Sequence, residues 1–178
     1  MLWVLGPNGS GKTSLLRVLC GLLRPEAGKV CWKGEDVHGS ADSFHAHLLF
    51  LGHSPAVKDD LTGRENVRFG LAQAGVGVTS READAALSEF GLAGREGLLA
   101  RALSQGQRRR VGLARLTLSA AKALWILDEP FTALDAQAVE LVQSHLAQHV
   151  RRGGSVVFTS HHEVGFAGLP VQRLQLAQ

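Results

Sequence analysis

Gly6, Pro7, Asn8, Gly9, Ser10 and Gly11 run into Lys12, Thr13 and Ser14, matching G-x-x-x-x-G-K-[ST]. The match stands between a short apolar run, Leu2 to Leu5, and the helically spaced leucines Leu15, Leu16, Leu19, Leu22 and Leu23. The apolar run has the character of a buried parallel strand, and the leucine series predicts a helix that Pro25 stops. Strand, glycine loop and helix in this order form a phosphate cradle. Glycines let successive backbone N–H groups face phosphate oxygens, and the helix start adds partial positive charge. Lys12 is then placed for the β- and γ-phosphates and the Thr13 hydroxyl for Mg²⁺. The bland reading is a glycine turn joining two elements. The motif alone points to a nucleoside triphosphate without separating kinases, GTPases and ATPases.

The rest of the chain alternates strands and helices. Lys29 to Lys33, Leu48 to Leu51, Ala123 to Leu127, Ser155 to Thr159 and Val171 to Leu176 read as strands. Thr62-Gly-Arg-Glu65 and Thr79-Ser-Arg-Glu82 are capping-box patterns that open helices, and Gly91 ends the second. Gln105 to Ser119 and Asp135 to Val150 complete the helical set. The pattern predicts an α/β fold with a mainly parallel sheet. Residues 1–178 form one domain, with an inserted helical subdomain at about 61–118.

Composition bounds the partners. Nineteen basic against 16 acidic residues give a net charge of +3, without a dense basic face, so no nucleic-acid partner is expected. The two cysteines, Cys20 and Cys31, lack C-x-x-C spacing and fit a reducing cytoplasm. No apolar run reaches the ~20 residues that cross a bilayer, so no direct membrane insertion is expected. The chain start also lacks the pattern of a signal peptide.

Leu124 to Leu127 leads into Asp128-Glu129-Pro130. Carboxylates at the carboxyl end of a strand in an open α/β sheet lie where ligands bind. Asp128 is then placed to hold Mg²⁺ and Glu129 to polarise an attacking water as general base. Adjacent acids also occur as solvated strand ends. Leu103-Ser-Gln-Gly-Gln107 resembles the LSGGQ signature of the ABC ATPases, with Gln105 replacing the first glycine. Ser104 and Gln107 also form a capping box, and the amides around Gly106 open a helix suited to an anion.

The resemblance to ABC ATPases extends over nearly the whole chain and implies a P-loop NTPase fold with ATP and Mg²⁺ as cofactors. It implies that Ser104, Gly106 and Gln107 face the γ-phosphate held by a second copy, so that a homodimer closes two ATP sites. Ala133-Leu-Asp135 resembles the loop that crosses this interface. His161 resembles the histidine that touches the γ-phosphate, with His162 beside it as a rival. Lys12, Glu129 and His161 are the implied catalytic set, and Thr13, Asp128 and His53 the implied metal-site set. His53 stands where the family carries a glutamine that senses Mg²⁺. An imidazole there makes coupling more pH-sensitive than an amide.

The family also carries residues ahead of the phosphate loop that supply antiparallel strands and an aromatic residue stacked on adenine. Here Met1 to Leu5 precede Gly6 and the chain has no tyrosine, so those strands are expected to be absent. An apolar sheet edge and weaker adenine binding are expected to follow, because base–aromatic stacking is worth about 1–3 kcal/mol.

Three stretches narrow the resemblance to the haem exporter ATPase of bacterial cytochrome c maturation, the CcmA family. They are Leu51 to Lys58 with histidine for glutamine, Gln107 to Arg115, and Trp125 to Asp135. The resemblance implies integral membrane transporter subunits as partners and a peripheral place on the cytoplasmic face of the bacterial inner membrane. The alternatives are the ATPase of another ABC exporter, or an inactive, shortened relative. A chromosome-structure or DNA-repair ATPase would carry long coiled coils or zinc modules between phosphate loop and signature, and neither occurs. A small-molecule kinase would not need Leu103 to Gln107.

Overall fold

The computed structural model describes residues 1–178 except Pro55, His162 and Gln178. A five-stranded sheet has the order β4-β5-β6-β1-β7, formed by β1 (Leu2–Leu5), β4 (Leu48–Leu51), β5 (Leu124–Leu127), β6 (Ser155–Thr159) and β7 (Gln172–Gln175). Every pairing in it is parallel. The carboxyl ends of β1, β4, β5 and β6 therefore open on one edge, which puts Gly6, His53, Asp128 and His161 on the same side.

Both faces of the sheet are covered, and strand alternation sorts the side chains between them. Val4, Leu48, Leu124 and Ile126 pack with Leu16 of α1 (Lys12–Leu19) and Phe44 of α2 (Ala41–His47). Trp3, Leu49, Leu51, Trp125, Leu127 and Phe158 face the other layer. That layer holds α3 (Gly63–Gln73), α4 (Ser80–Glu89), α5 (Gln105–Leu113) and α6 (Ala136–Arg151). Trp3 stacks on Phe158 with ring centroids 5.6 Å apart, which ties the neighbouring strands β1 and β6 to each other on this face.

The helices α3, α4 and α5 occupy the interval between β4 and β5, as the capping boxes predict. Thr62, Thr79 and Ser104 each accept from the backbone N–H three residues on, while the Glu65, Glu82 and Gln107 side chains accept from the cap backbone. Gly91 follows α4 with φ 72°, the left-handed stop that a glycine permits.

Several expectations are corrected. α1 ends at Leu19 rather than at Pro25, because Gly21 turns left-handed: its N–H donates to Val18 O at 3.0 Å and the Leu22 N–H to Arg17 O at 2.9 Å. The strand expected over Lys29 to Lys33 is only β2 (Cys31–Trp32), paired antiparallel with β3 (Glu35–Asp36) outside the main sheet. α2 was not predicted: it has seven residues and one buried apolar side chain, Phe44, too few to show a period. α5 stops at Leu113 and tightens into a 3₁₀ turn over Ala114–Leu116, short of Ser119. The edge strand β7 is exposed along its length and reads Gln-Arg-Leu-Gln, so this edge is polar rather than apolar.

On α6, His149 stacks on Trp125 with centroids 3.9 Å apart and planes 9° from parallel. Burial holds its imidazole below the ordinary histidine range, and His145 is lowered by burial against the opposing pull of Glu89. Both side chains therefore fold neutral, whereas the unfolded chain takes up protons near pH ~6.5. Their contribution is complete above that pH and is lost as pH falls toward the depressed folded values. The melting temperature is expected to drop between about pH 7.5 and about pH 5, with a smaller drop for His149→Phe. Thermal scans across this range with equal slopes for both proteins would contradict the assignment.

Candidate nucleotide-binding site

The loop after β1 owes its shape to backbone freedom. Gly9 and Gly11 lie at φ 84° and 86°, and Gly11 is the N-cap of α1. Gly6, at φ 153°, packs so closely that an added Cβ would sit 2.5 Å from Ser10 Oγ and 3.1 Å from Leu176 O. Gly6→Ala is accordingly expected to weaken ATP binding by about tenfold or more by displacing the loop. Titration calorimetry showing parental affinity would refute this.

Lys12 folds back over the loop, and its Nζ donates to Gly6 O at 2.7 Å and Pro7 O at 3.0 Å. The Ser10 N–H donates to Pro7 O at 3.2 Å, while its hydroxyl is buried without a hydrogen-bond partner. Asn8, Gly9, Gly11, Lys12, Thr13 and Ser14 line a cleft of about 370 Å³ together with His53, Asp128, Glu129 and His161. The structure thus brings together the phosphate loop, the acid pair and two of the histidines named from the sequence, His53 and His161. Gly6, Pro7 and Ser10 do not line the cleft. His162 lies outside the described residues.

The two acids differ in their surroundings. Asp128 has one hydrogen bond on each oxygen: Thr13 Oγ1 donates to its Oδ2 at 2.8 Å and Thr159 Oγ1 to its Oδ1 at 2.8 Å. Glu129 is 5% exposed, and its Oε2 accepts from the His161 N–H at 3.2 Å. Its Oε1 is buried, lies 3.3 Å from His161 Nε2 and makes no hydrogen bond to a protein group, in a residue that lines the cleft.

The Glu129 backbone sits at φ 52°, a left-handed conformation that costs on the order of 1–3 kcal/mol for a residue with a side chain. Its N–H donates to Thr159 Oγ1 at 2.8 Å and its carbonyl accepts from Arg109 Nη2 at 2.5 Å.

Thr159 and Arg109 were not picked out from the sequence. A threonine closing the strand next to the acid-bearing strand was a signal available for the first. For the second, three consecutive arginines gave no indication of which one turns inward.

Mg²⁺ calls for hard oxygen ligands with room for water and phosphate. The adjacent Thr13 hydroxyl and Asp128 carboxylate at the mouth of the loop fit it. Among the described residues no group of three His, Cys, Asp or Glu side chains could hold a metal alone. His53 is exposed on the same cleft.

Ser104, Gly106 and Gln107 do not line this cleft. They form the exposed to half-buried start of α5, where the Ser104 N–H donates to Gln107 Oε1 at 2.9 Å. Asp135 caps α6 through the Ala138 N–H at 2.9 Å and pairs with Arg110, joining the loop after the acids to α5.

The ABC transporter family model matches residues 1–132. The cytochrome c biogenesis ATP-binding export protein CcmA of Aromatoleum aromaticum is 54% identical over 170 residues, covering 96% of this chain and 79% of that protein. Its namesake from Nitrosospira multiformis is 52% identical, with 99% and 85% covered. That of Escherichia coli K12 is 46% identical, with 98% and 82% covered. Among solved structures, the dimeric ATP-binding cassette MJ0796 in a post-hydrolysis state with ADP and Pi superposes with TM-score 0.77 at 25% identity, covering 91% of this chain and 75% of that one. A putative ABC transporter ATP-binding protein from Pyrococcus furiosus gives 0.80 at 25% identity, with 98% and 83% covered.

Proposed function

The chain belongs to the ABC transporter ATPases, in the family of the CcmA cytochrome c biogenesis export proteins, and from that premise we propose that it powers haem export for c-type cytochrome assembly. It is an ATP-binding protein and an ATPase. The proposal adds the cargo, the partners and the part each side chain plays.

The observation that carries the mechanism is the contrast between the two acids. Asp128 has both oxygens engaged, so it holds Thr13 and orients the metal-binding hydroxyl rather than taking a proton. Glu129 keeps a buried oxygen without a hydrogen bond at the cleft, 3.3 Å from His161 Nε2. That oxygen accepts the proton of the water that attacks the γ-phosphate, and His161 contacts the same phosphate.

Lys12 exchanges its loop carbonyls for the β- and γ-phosphate oxygens, and the N–H groups of the loop cradle the remaining charge. Thr13 and Asp128 would hold Mg²⁺, whose positive charge would offset the negative charge developing on the phosphoryl oxygens. His53 would take part through the water around the ion.

The start of α5 carries Ser104, Gly106 and Gln107 away from the chain's own cleft. That placement supports a head-to-tail homodimer in which they complete the partner's site. We read residues 61–118 as a helical subdomain of a single domain spanning 1–178. No helix among the described residues is long and apolar enough to cross a membrane. Attachment to the cytoplasmic face of the bacterial inner membrane through integral membrane subunits follows from the proposed role.

The deciding experiment purifies the chain with the membrane proteins that accompany it and assays ATP-dependent haem transfer in sealed vesicles. Haem-stimulated hydrolysis is the expected result. An active complex that ignores haem and moves another solute would replace the cargo and leave the ATPase in place.

A further inference from the structure

Arg109 stands in α5 between two arginines that reach outward. Arg108 Nη1 meets Asp59 at 2.7 Å, and Arg110 pairs with Asp135. Arg109 is 7% exposed and turns inward. Its Nη1 donates to Gly52 O at 3.3 Å and His53 O at 3.0 Å, and its Nη2 to Asp128 O at 3.0 Å and Glu129 O at 2.5 Å.

All four acceptors are backbone carbonyls. They lie just past Leu51 and Leu127, the last paired residues of β4 and β5, where the ladder no longer supplies partners. One planar guanidinium thus joins three things: the loop bearing His53, the peptide of Glu129, and the helix that begins at Ser104.

We infer that Arg109 is a positioning residue for hydrolysis, which holds the Glu129 backbone in its left-handed conformation and ties it to the His53 loop and the signature helix. This rests on the reading of Glu129 as general base. Thr159 Oγ1 fixes the Glu129 N–H, and Arg109 fixes its carbonyl together with the Thr132 N–H at 3.2 Å, so the residue is gripped on both sides of its Cα. Without the guanidinium the carbonyl keeps only the longer bond from Thr132, which loosens the hold on φ 52° and lets the carboxylate move from the attacking water.

The job suits arginine and not lysine. A rigid fork can serve two carbonyls on each of two strands, whereas an ammonium is a single point with three donors. The linkage also means that a shift of α5, whose start faces the partner's nucleotide, moves the base of its own site. Burial draws the Arg109 pKa down while Asp128 and Glu129 oppose it, so the charge sits close beneath the acid pair.

The test uses the transporter complex purified with its membrane subunits, comparing the parent with Arg109→Gln, Arg109→Lys, Glu129→Gln and the Arg109→Gln/Glu129→Gln double variant. ATP hydrolysis and ATP binding are both measured. In Arg109→Gln, kcat is expected to fall on the order of a hundredfold with the ATP KM within about twofold. Arg109→Lys should fall between the two. Once Glu129 is glutamine, adding Arg109→Gln should cost nothing further.

The inference is overturned if Arg109→Gln keeps kcat within about threefold of the parent. It is also overturned if both Arg109 variants lose ATP binding in parallel with kcat, which would make the residue structural alone. A further loss in the double variant would do the same. Failure of the underlying reading looks different: Glu129→Gln itself would then hydrolyse ATP at the parental rate.

Discussion

Glu129→Gln is expected to slow ATP hydrolysis by about 10²–10⁴-fold while ATP still binds with near-parental affinity. The substitution keeps size and shape and removes the proton acceptor. In the proposed mechanism Lys12 and the loop amides bind the phosphates and Glu129 does not, so binding should survive. The His161 N–H keeps an acceptor in the glutamine carbonyl oxygen, so the backbone arrangement is preserved. Single-turnover hydrolysis and filter binding of labelled ATP separate the two effects. Asp128→Asn should behave differently, because Asp128 receives both Thr13 and Thr159 and an amide nitrogen cannot accept from either. ATP binding in the presence of Mg²⁺ is then expected to weaken together with turnover. Equal kinetic signatures for the two substitutions would reverse the assignment of base and metal-site acid.

A mixture of two inactive proteins is expected to regain activity. Glu129→Gln removes the base, and Gly106→Asp places a negative side chain at the start of α5, where a Cβ already comes 3.3 Å from Ala133 O. Each homodimer then carries a defect in both of its sites. In the mixed dimer both defects fall in the same site, because each site takes its base from one protomer and its signature from the other, and the second site is intact. A statistical mixture is half mixed dimers with one working site each, so activity should recover to roughly a quarter of the parent. Each variant alone should stay within a few per cent of background. If each protomer hydrolyses ATP with its own α5, mixing yields no recovery, and the shared-site reading fails.

Much of this site was legible because its chemistry is local in sequence. The phosphate cradle needs glycines with positive φ, a lysine and a hydroxyl within a few residues, and Gly9, Gly11, Lys12 and Thr13 are that set. Capping boxes are read the same way, and all three were found where Thr62, Thr79 and Ser104 placed them. The acid pair was located and its roles assigned, Asp128 to Mg²⁺ and Glu129 to the attacking water, but the contact that sets the two apart was not readable. The division depends on Thr159, thirty residues away across the sheet, whose hydroxyl accepts from one acid's peptide and donates to the other acid's carboxylate. Arg109 escaped for a related reason: a helix turns ~100° per residue, so which of Arg108, Arg109 and Arg110 faces inward depends on how α5 sits on the sheet. α2 was hidden because its burial rests on Phe44 alone, and a single apolar residue has no period.

Sheet order has a consequence for how the protein comes into being. β1, which presents the phosphate loop, is flanked by β6 and β7, with Leu2 aligned to Val157 on one side and Gln172 on the other. Neither neighbour exists when the loop first leaves the ribosome, and such distant pairings close late in folding. A nascent chain released through residue 154 would hold every residue of Gly6 to Thr13, and the acid pair as well, yet have neither strand to set β1 in place. Nucleotide should therefore bind to stalled nascent chains only after the strands between Ser155 and Gln175 have emerged, so that ATP selects finished molecules over partial ones.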